Sequence, residues 1–249
     1  MNFRQSILCI GLSTLFCLNA LVPAHAAIAL DRTRVVFNGS QKSISLSITN
    51  NNKELPYLAQ GWLEDLDGKK IQGPLTVLPP VQRVEPGAKS QVKIQALPAT
   101  AQLPQDRETL YYFNMREIPP RSNKPNTLQL ALQTKIKLFY RPQAIAIDPN
   151  TIPVQTKLTL TRQGNKYVVN NPTPYYITLT EARSSVEGKS INGFDVLMLA
   201  PKSQKALSLD AARLGNSPVL VYVNDYGGRP MLKFNCNGST CTAEQVKSR

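Results

Sequence analysis

The sequence predicts an all-β protein built from two immunoglobulin-like β-sandwich domains. Short runs rich in β-branched and aromatic residues recur between turn signals along the chain, and no long helical period interrupts them. A proline-rich break, RPQAIAIDPNTIP at Arg141–Pro153, divides these runs into two series. Each series has the strand number and spacing of a sandwich, but the first lacks the Cys…Trp…Cys pattern of antibody-type domains.

The opening segment belongs to neither series. Arg4 supplies a positive flank, Ile7 to Val22 is mostly apolar, and Ala24-His25-Ala26 fits a small-x-small cleavage rule. Residues 1–26 are therefore expected to be a secretory signal, leaving a mature chain that begins at Ala27. The first domain is expected over 27–147 and the second over 148–249.

In the first series the expected strands are Ile28–Phe37, Ser43–Thr49, Tyr57–Leu63, Leu75–Leu78, Ser90–Ala96, Thr109–Ile118 and Thr127–Tyr140. Asn38-Gly39, Asn50-Asn51-Asn52, Asp67-Gly68 and Pro86-Gly87 punctuate them as turns. The lone tryptophan, Trp62, is expected in the core. Glu64, Asp65 and Asp67, beside Gly68-Lys69-Lys70, read as a charged, solvated hairpin turn with too few regularly spaced oxygens for calcium. In the second series the strands are Val154–Thr161, Lys166–Val169, Tyr175–Thr180, Phe194–Leu199, Lys205–Leu209, Val219–Asn224 and Met231–Cys236.

Export narrows the available chemistry. His25, the only histidine, lies in the signal with Cys9 and Cys17. The mature chain then has no histidine for a nucleophile pair or a metal site. Its two cysteines, Cys236 and Cys241, flank the turn sequence Asn-Gly-Ser-Thr and read as a structural disulfide closing a hairpin. GxGxxG, P-loop and HExxH motifs are absent, and no sequence signal pairs the scattered carboxylates. The expectation is a binding protein without catalysis, cofactor or metal. The formal charge of +13 is spread over both halves without a long basic run, which argues against a nucleic-acid partner and for a generally cationic surface.

The segment NTLQLALQTKIKLFYRP at Asn126–Pro142 is the most specific. Leu128, Leu130 and Leu132 alternate with Gln129, Ala131 and Gln133, so in a strand the leucines form one apolar row. Lys135 and Lys137 follow. Near the mature N-terminus Arg32 and Arg34 share a strand face, and Arg34 with Lys135 or Lys137 could clamp a carboxylate.

Together with these segments, LDRTRVVFNGS at 30–40, LPYLAQGW at 55–62, PPVQRVEPGAKS at 79–90, LPQDRETLYYFNMREIPPRS at 103–122, NPTPYYITL at 171–179 and NDYGGRPMLKFNCNGS at 224–239 resemble the periplasmic pilus-assembly chaperones. The resemblance covers essentially the whole mature chain. It implies an L- or boomerang-shaped pair of domains with a cleft between them, located in the periplasm. It also implies that pilus subunits are captured by donor-strand complementation and passed to an outer-membrane usher. By the same resemblance Leu128, Leu130 and Leu132 enter the groove of the subunit, and Arg34 and Lys137 hold the carboxylate at its C-terminus. Glu108, Arg141 and Asp225 form structural ion pairs between the domains, and the short Pro-rich loop at 119–126 matches the branch that assembles rod-like pili.

Two further expectations follow from the residues. Lys137 differs in parity from the leucine row, so a bulge or strong twist is needed for both to serve one partner. An unfilled leucine row near a sheet edge also favours self-association of the empty protein. The alternative is a secreted two-sandwich structural subunit or adhesin, in which Asn126–Pro142 would pair wholly within its own domain.

Overall fold

The computed structural model describes residues 26–148 and 150–246. The expected signal segment therefore lies outside the described residues, except for its last residue. Among the described residues no helix is long and apolar enough to cross a membrane.

The first domain contains β1 (Ile28–Leu30), β2 (Arg34–Asn38), β3 (Ser43–Asn50), β4 (Tyr57–Glu64), β5 (Lys70–Ile71), β6 (Leu75–Leu78), β7 (Val81–Val84), β8 (Lys89–Ala96), β9 (Thr109–Ile118) and β10 (Gln133–Arg141). One sheet runs β1-β3-β8-β6 and the other β2-β10-β9-β4-β5, with β7 beside β4. Alternate residues of facing strands fill the space between the sheets. Leu46, Ile48, Val92 and Ile94 on one side meet Leu63, Phe113, Met115, Ile136 and Leu138 on the other, all buried. Burial of this kind is worth roughly 1.5–3 kcal/mol per large aliphatic side chain before ordering costs.

The second domain contains β11 (Thr159–Gln163), β12 (Lys166–Asn171), β13 (Ile177–Arg183), β14 (Leu197–Leu199), β15 (Ser203–Asp210), β16 (Val219–Val223), β17 (Met231–Asn237) and β18 (Thr240–Gln245). They form one ladder, β14-β13-β16-β17-β18-β11-β12-β15. Its two end strands are consecutive in the chain, so the ladder curls back around a core that includes Leu160, Val169, Tyr222 and Phe234. Cys236 and Cys241 face each other across the β17–β18 hairpin and are joined as a disulfide.

Three differences from the sequence reading bear on function. The run expected over Ile28–Phe37 is two strands in different sheets, β1 and β2, separated at 31–33. Trp62 is not in the core: its strand buries Gly61 and Leu63, and Trp62 lies half-buried on the opposite face beneath Lys70 and Arg116. The strand expected from Thr127 begins only at Gln133. Its antiparallel neighbour β9 ends at Ile118 before Pro119-Pro120, two residues without an N–H to extend the ladder. Upstream of Gln133, one further bond, from Glu117 N–H to the Leu132 carbonyl at 3.0 Å, continues the pairing.

Candidate functional site

The site is organised by β10, whose two faces carry different residues. Even-numbered Ile136, Leu138 and Tyr140 point into the first domain's core. Odd-numbered Lys135, Lys137, Phe139 and Arg141 lie on the outer face, and the last three meet the second domain. Phe139 packs against Tyr176 with ring centroids 5.8 Å apart. Lys137 donates from Nζ to the Thr178 hydroxyl at 3.3 Å.

Arg141 is almost fully enclosed. Its Nε donates to Glu108 Oε1 at 2.9 Å, and two guanidinium nitrogens donate to the two Asp225 carboxylate oxygens at 2.7 and 3.1 Å. The other Glu108 oxygen accepts the Tyr176 N–H at 2.7 Å. Burial lowers the proton affinity of Arg141, but Asp225 and Glu108 outweigh it and leave the pKa raised, so Arg141 stays a cation. Burial pushes the Glu108 carboxyl up, opposed by Arg141 and by the Tyr176 N–H. The structure thus brings Glu108, Arg141 and Asp225 together across the domain junction.

Arg34 and Lys137 are the contrasting case. They are direct neighbours in the parallel β2–β10 register. Among the described residues neither forms a salt bridge. Among the same residues Arg34 reaches only the Val223 carbonyl, at 3.5 Å, and its buried Nε has no partner. Burial holds Arg34 below the ordinary arginine value, with Asp225 acting against the shift. Burial, and then the Arg34 charge, hold Lys137 below the ordinary lysine value. Two half-buried cations side by side, neither of them salt-bridged among the described residues, repel each other and favour an incoming anion. Beside them an interdomain cavity of about 660 Å3 includes Arg34 and Arg141 in its wall but not Lys137, which places the pair at its margin.

The strand edge upstream of this pair is open. β9 flanks β10 from Gln133 to Tyr140, whereas β2 flanks it only from Lys137 to Arg141. Before Lys137, one side of β10 has no strand beside it among the described residues. The leucine row continues that open edge and is exposed: 83% for Leu128, 65% for Leu130 and 45% for Leu132. These leucines share parity with Ile136 and Leu138 of the core face. No register shift occurs between Gln133 and Arg141. Of the bulge or strong twist expected, the bulge is therefore absent there, and Lys137 keeps the parity opposite to the leucines.

Lys135 is not part of the cation pair. Its Nζ lies 2.7 Å from Glu64 Oε2 and 4.5 Å from the centre of the Tyr112 ring. Glu64 is the residue most misread from sequence. Asp65 and Asp67 do form the turn, but Glu64 ends β4, is only 8% exposed and accepts the Trp62 indole N–H at 2.7 Å. Nothing local announces a partner so distant in sequence. Trp62-x-Glu64, on one strand face, is the available clue. Thr178 and Val223, which meet the cations from the second domain, likewise carry no sequence signal.

Two family models match the chain. One describes the PapD N-terminal domain of pili and flagellar-assembly chaperones and covers residues 27–146; the other describes the C-terminal domain of the pili-assembly chaperone PapD and covers residues 153–234. The chain belongs to the pilus-assembly chaperone family. The chaperone protein PapD of Escherichia coli is 52% identical over 225 residues, covering 90% of this chain and 92% of that protein. The probable fimbrial chaperone YfcS of Escherichia coli K12 is 51% identical over 226 residues, covering 91% and 89%. A solved complex of the Salmonella enterica SafB chaperone with SafA pilin matches with a TM-score of 0.67 and 29% identity, over 84% of this chain and 95% of that one. Membership makes the molecule a chaperone of pilus assembly with the two-domain β-sandwich fold, and the structural-subunit alternative falls away.

Proposed function

We propose that this chaperone captures pilus subunits by donating the segment from Leu128 into β10 and by holding the carboxylate at the C-terminus of the subunit between Arg34 and Lys137. The observation that carries the reading is the pair of half-buried cations, without a carboxylate partner, standing where an open strand edge ends. A subunit strand on that edge takes the line that β2 occupies from Lys137 onward. For its C-terminus to meet the cations, it runs parallel to β10, as β2 does.

This placement also accommodates the parity of Lys137. Leu128, Leu130 and Leu132 point from one face of the edge into the incomplete sandwich of the subunit. The carboxylate lies at the end of the same edge, where cations on the other face can reach around it. Three leucines buried in a groove contribute roughly 5–9 kcal/mol before ordering costs. The carboxylate adds charge-assisted hydrogen bonds and fixes position along the strand. Glu108, Arg141 and Asp225 are assigned to holding the domain angle. The subunit-binding domain is placed at 27–147 and the second domain at 148–249, with residues 1–26 as a cleavable signal for the periplasm. The reading requires binding only, without catalysis, and ends with delivery of the subunit to an outer-membrane usher. SafB, a relative by structure, is solved in complex with a pilin.

The test is native mass spectrometry of the periplasmic protein co-expressed with a pilus subunit from the same pilus system. A one-to-one complex is expected with the wild type and is lost with Lys137→Ala. A complex that survives the substitution at full yield removes the carboxylate anchor. Failure of the wild type to form any complex overturns the capture reading.

A further inference from the structure

Alternation leaves one alignment error undetected. Shifting a strand by one residue turns every side chain to the wrong face, but a shift of two restores the same faces. The leucine row has a two-residue repeat, and so does the lysine pair, because Lys135 and Lys137 lie on the same face of β10. A pilus subunit slipped by two residues would still place apolar groups against Leu128, Leu130 and Leu132 and would find Lys135 at its carboxylate. Apolar matching alone does not separate the two alignments.

The two lysines differ in their surroundings. Lys135 is bound to Glu64 at 2.7 Å, and Glu64 is only 8% exposed. Glu64 is fixed from the other side by the Trp62 indole N–H at 2.7 Å, and Trp62 itself lies beneath Lys70 and Arg116. Burial would raise the Glu64 carboxyl, but hydrogen bonds from Lys135 and Trp62 outweigh it and hold the group below the ordinary glutamate value, so it stays an anion. A carboxylate arriving at Lys135 would meet a cation whose charge is already matched and a second carboxylate beside it. At Lys137 it meets two cations and, among the described residues, no salt-bridged carboxylate on either.

We infer that Glu64 is a register-determining residue: by occupying Lys135 it leaves Lys137 with Arg34 as the one effective seat for the last residue of the pilus subunit, and so excludes the two-residue slip. This rests on the carboxylate-anchor reading above. Glu64 contacts no pilus subunit in this account. It acts through Lys135 and is a positioning residue.

The experiment uses the full mature chain co-expressed with the same pilus subunit, with complexes counted by native mass spectrometry. Lys137→Ala is expected to lose capture, because a subunit slipped by two residues then meets only Lys135, which Glu64 already occupies. Glu64→Gln keeps the Trp62 hydrogen bond but frees Lys135, so Glu64→Gln/Lys137→Ala is expected to capture several-fold more than Lys137→Ala, and adding Lys135→Ala is expected to abolish that gain. A folded double variant no better than Lys137→Ala, or a gain that survives Lys135→Ala, overturns the inference. Normal capture by Lys137→Ala alone would instead show that the anchor reading has failed, and the register inference with it.

Discussion

Two cation clusters stand four residues apart on the outer face of β10, and they differ in whether anions accompany them. Arg141 is enclosed by Glu108 and Asp225, with its guanidinium bonded to both carboxylates. Lys137 and its neighbour Arg34 hydrogen-bond, among the described residues, only to a hydroxyl and a carbonyl. A buried charge whose partners are built in is part of the frame, because removing either side strands the other. A half-buried charge without a partner contributes little to the frame and much to affinity for whatever brings the missing charge. On the proposed reading the same strand carries a structural ion cluster and a binding site, separated by two repeats of the pleat and by the aromatic contact of Phe139 with Tyr176.

The largest effect is expected at the compensated cluster. Arg141→Ala leaves Glu108 buried without its cation, which costs about 3–5 kcal/mol of stability, read by denaturant unfolding. Replacing Arg141 by Met and Glu108 by Gln together is expected to recover part of that loss, since the stranded charge is gone and the Tyr176 N–H keeps an acceptor. If Arg141→Ala were no less stable than wild type, the distinction between the clusters would collapse.

The opposite pattern is expected at Lys137. Lys137→Ala removes a charge that repels Arg34 and has no carboxylate, so its stability is expected to stay within about 0.5 kcal/mol of wild type or rise slightly. Its capture of pilus subunits is nevertheless expected to fall by about two orders of magnitude, because an incoming carboxylate left among half-buried groups loses about 3 kcal/mol. Stability and capture measured on the same two variants therefore cross over. A smaller loss is expected for Leu130→Glu: in the free protein this residue is 65% exposed, so folding is unaffected, while capture falls about tenfold or more as a carboxylate replaces an apolar contact worth roughly 1.5–3 kcal/mol.

How much of this was legible in the sequence follows from the range of the interactions. Local alternation located most strands and the leucine row, because pleat periodicity is written in neighbouring residues. It misplaced the start of β10, because the limit is set by the two prolines after β9, on the neighbouring strand. It also merged β1 with β2, since a chain that changes sheets at Asp31-Arg32-Thr33 keeps its extended pattern while changing its neighbours. The residues themselves offer Arg34 with Lys135 or Lys137 as a clamp, whereas the choice of Lys137 and the set Glu108, Arg141 and Asp225 come from resemblance to a family, and only the fold puts their charges beside one another. Trp62 and Glu64 were misread for a physical reason: an outward residue on a sheet looks like a core or turn residue until the long side chains crossing above it are known.

The smallest effect lies in the Glu64–Lys135 pair and is best seen through acid. The folded carboxyl of Glu64 is held below its ordinary value of 4.5 by Lys135 and Trp62 despite burial. The folded state therefore binds this proton less readily than the unfolded chain. The stability this supplies is fully present above pH 4.5 and is lost as the pH falls through the lowered folded value. Glu64→Gln removes that one proton from the balance. Its acid unfolding profile is expected to be shallower than that of wild type below pH 4.5, with the two profiles parallel above it. Identical slopes in acid would mean that Glu64 is not held as an anion by Lys135, and Lys135 would then be a second free cation beside Lys137.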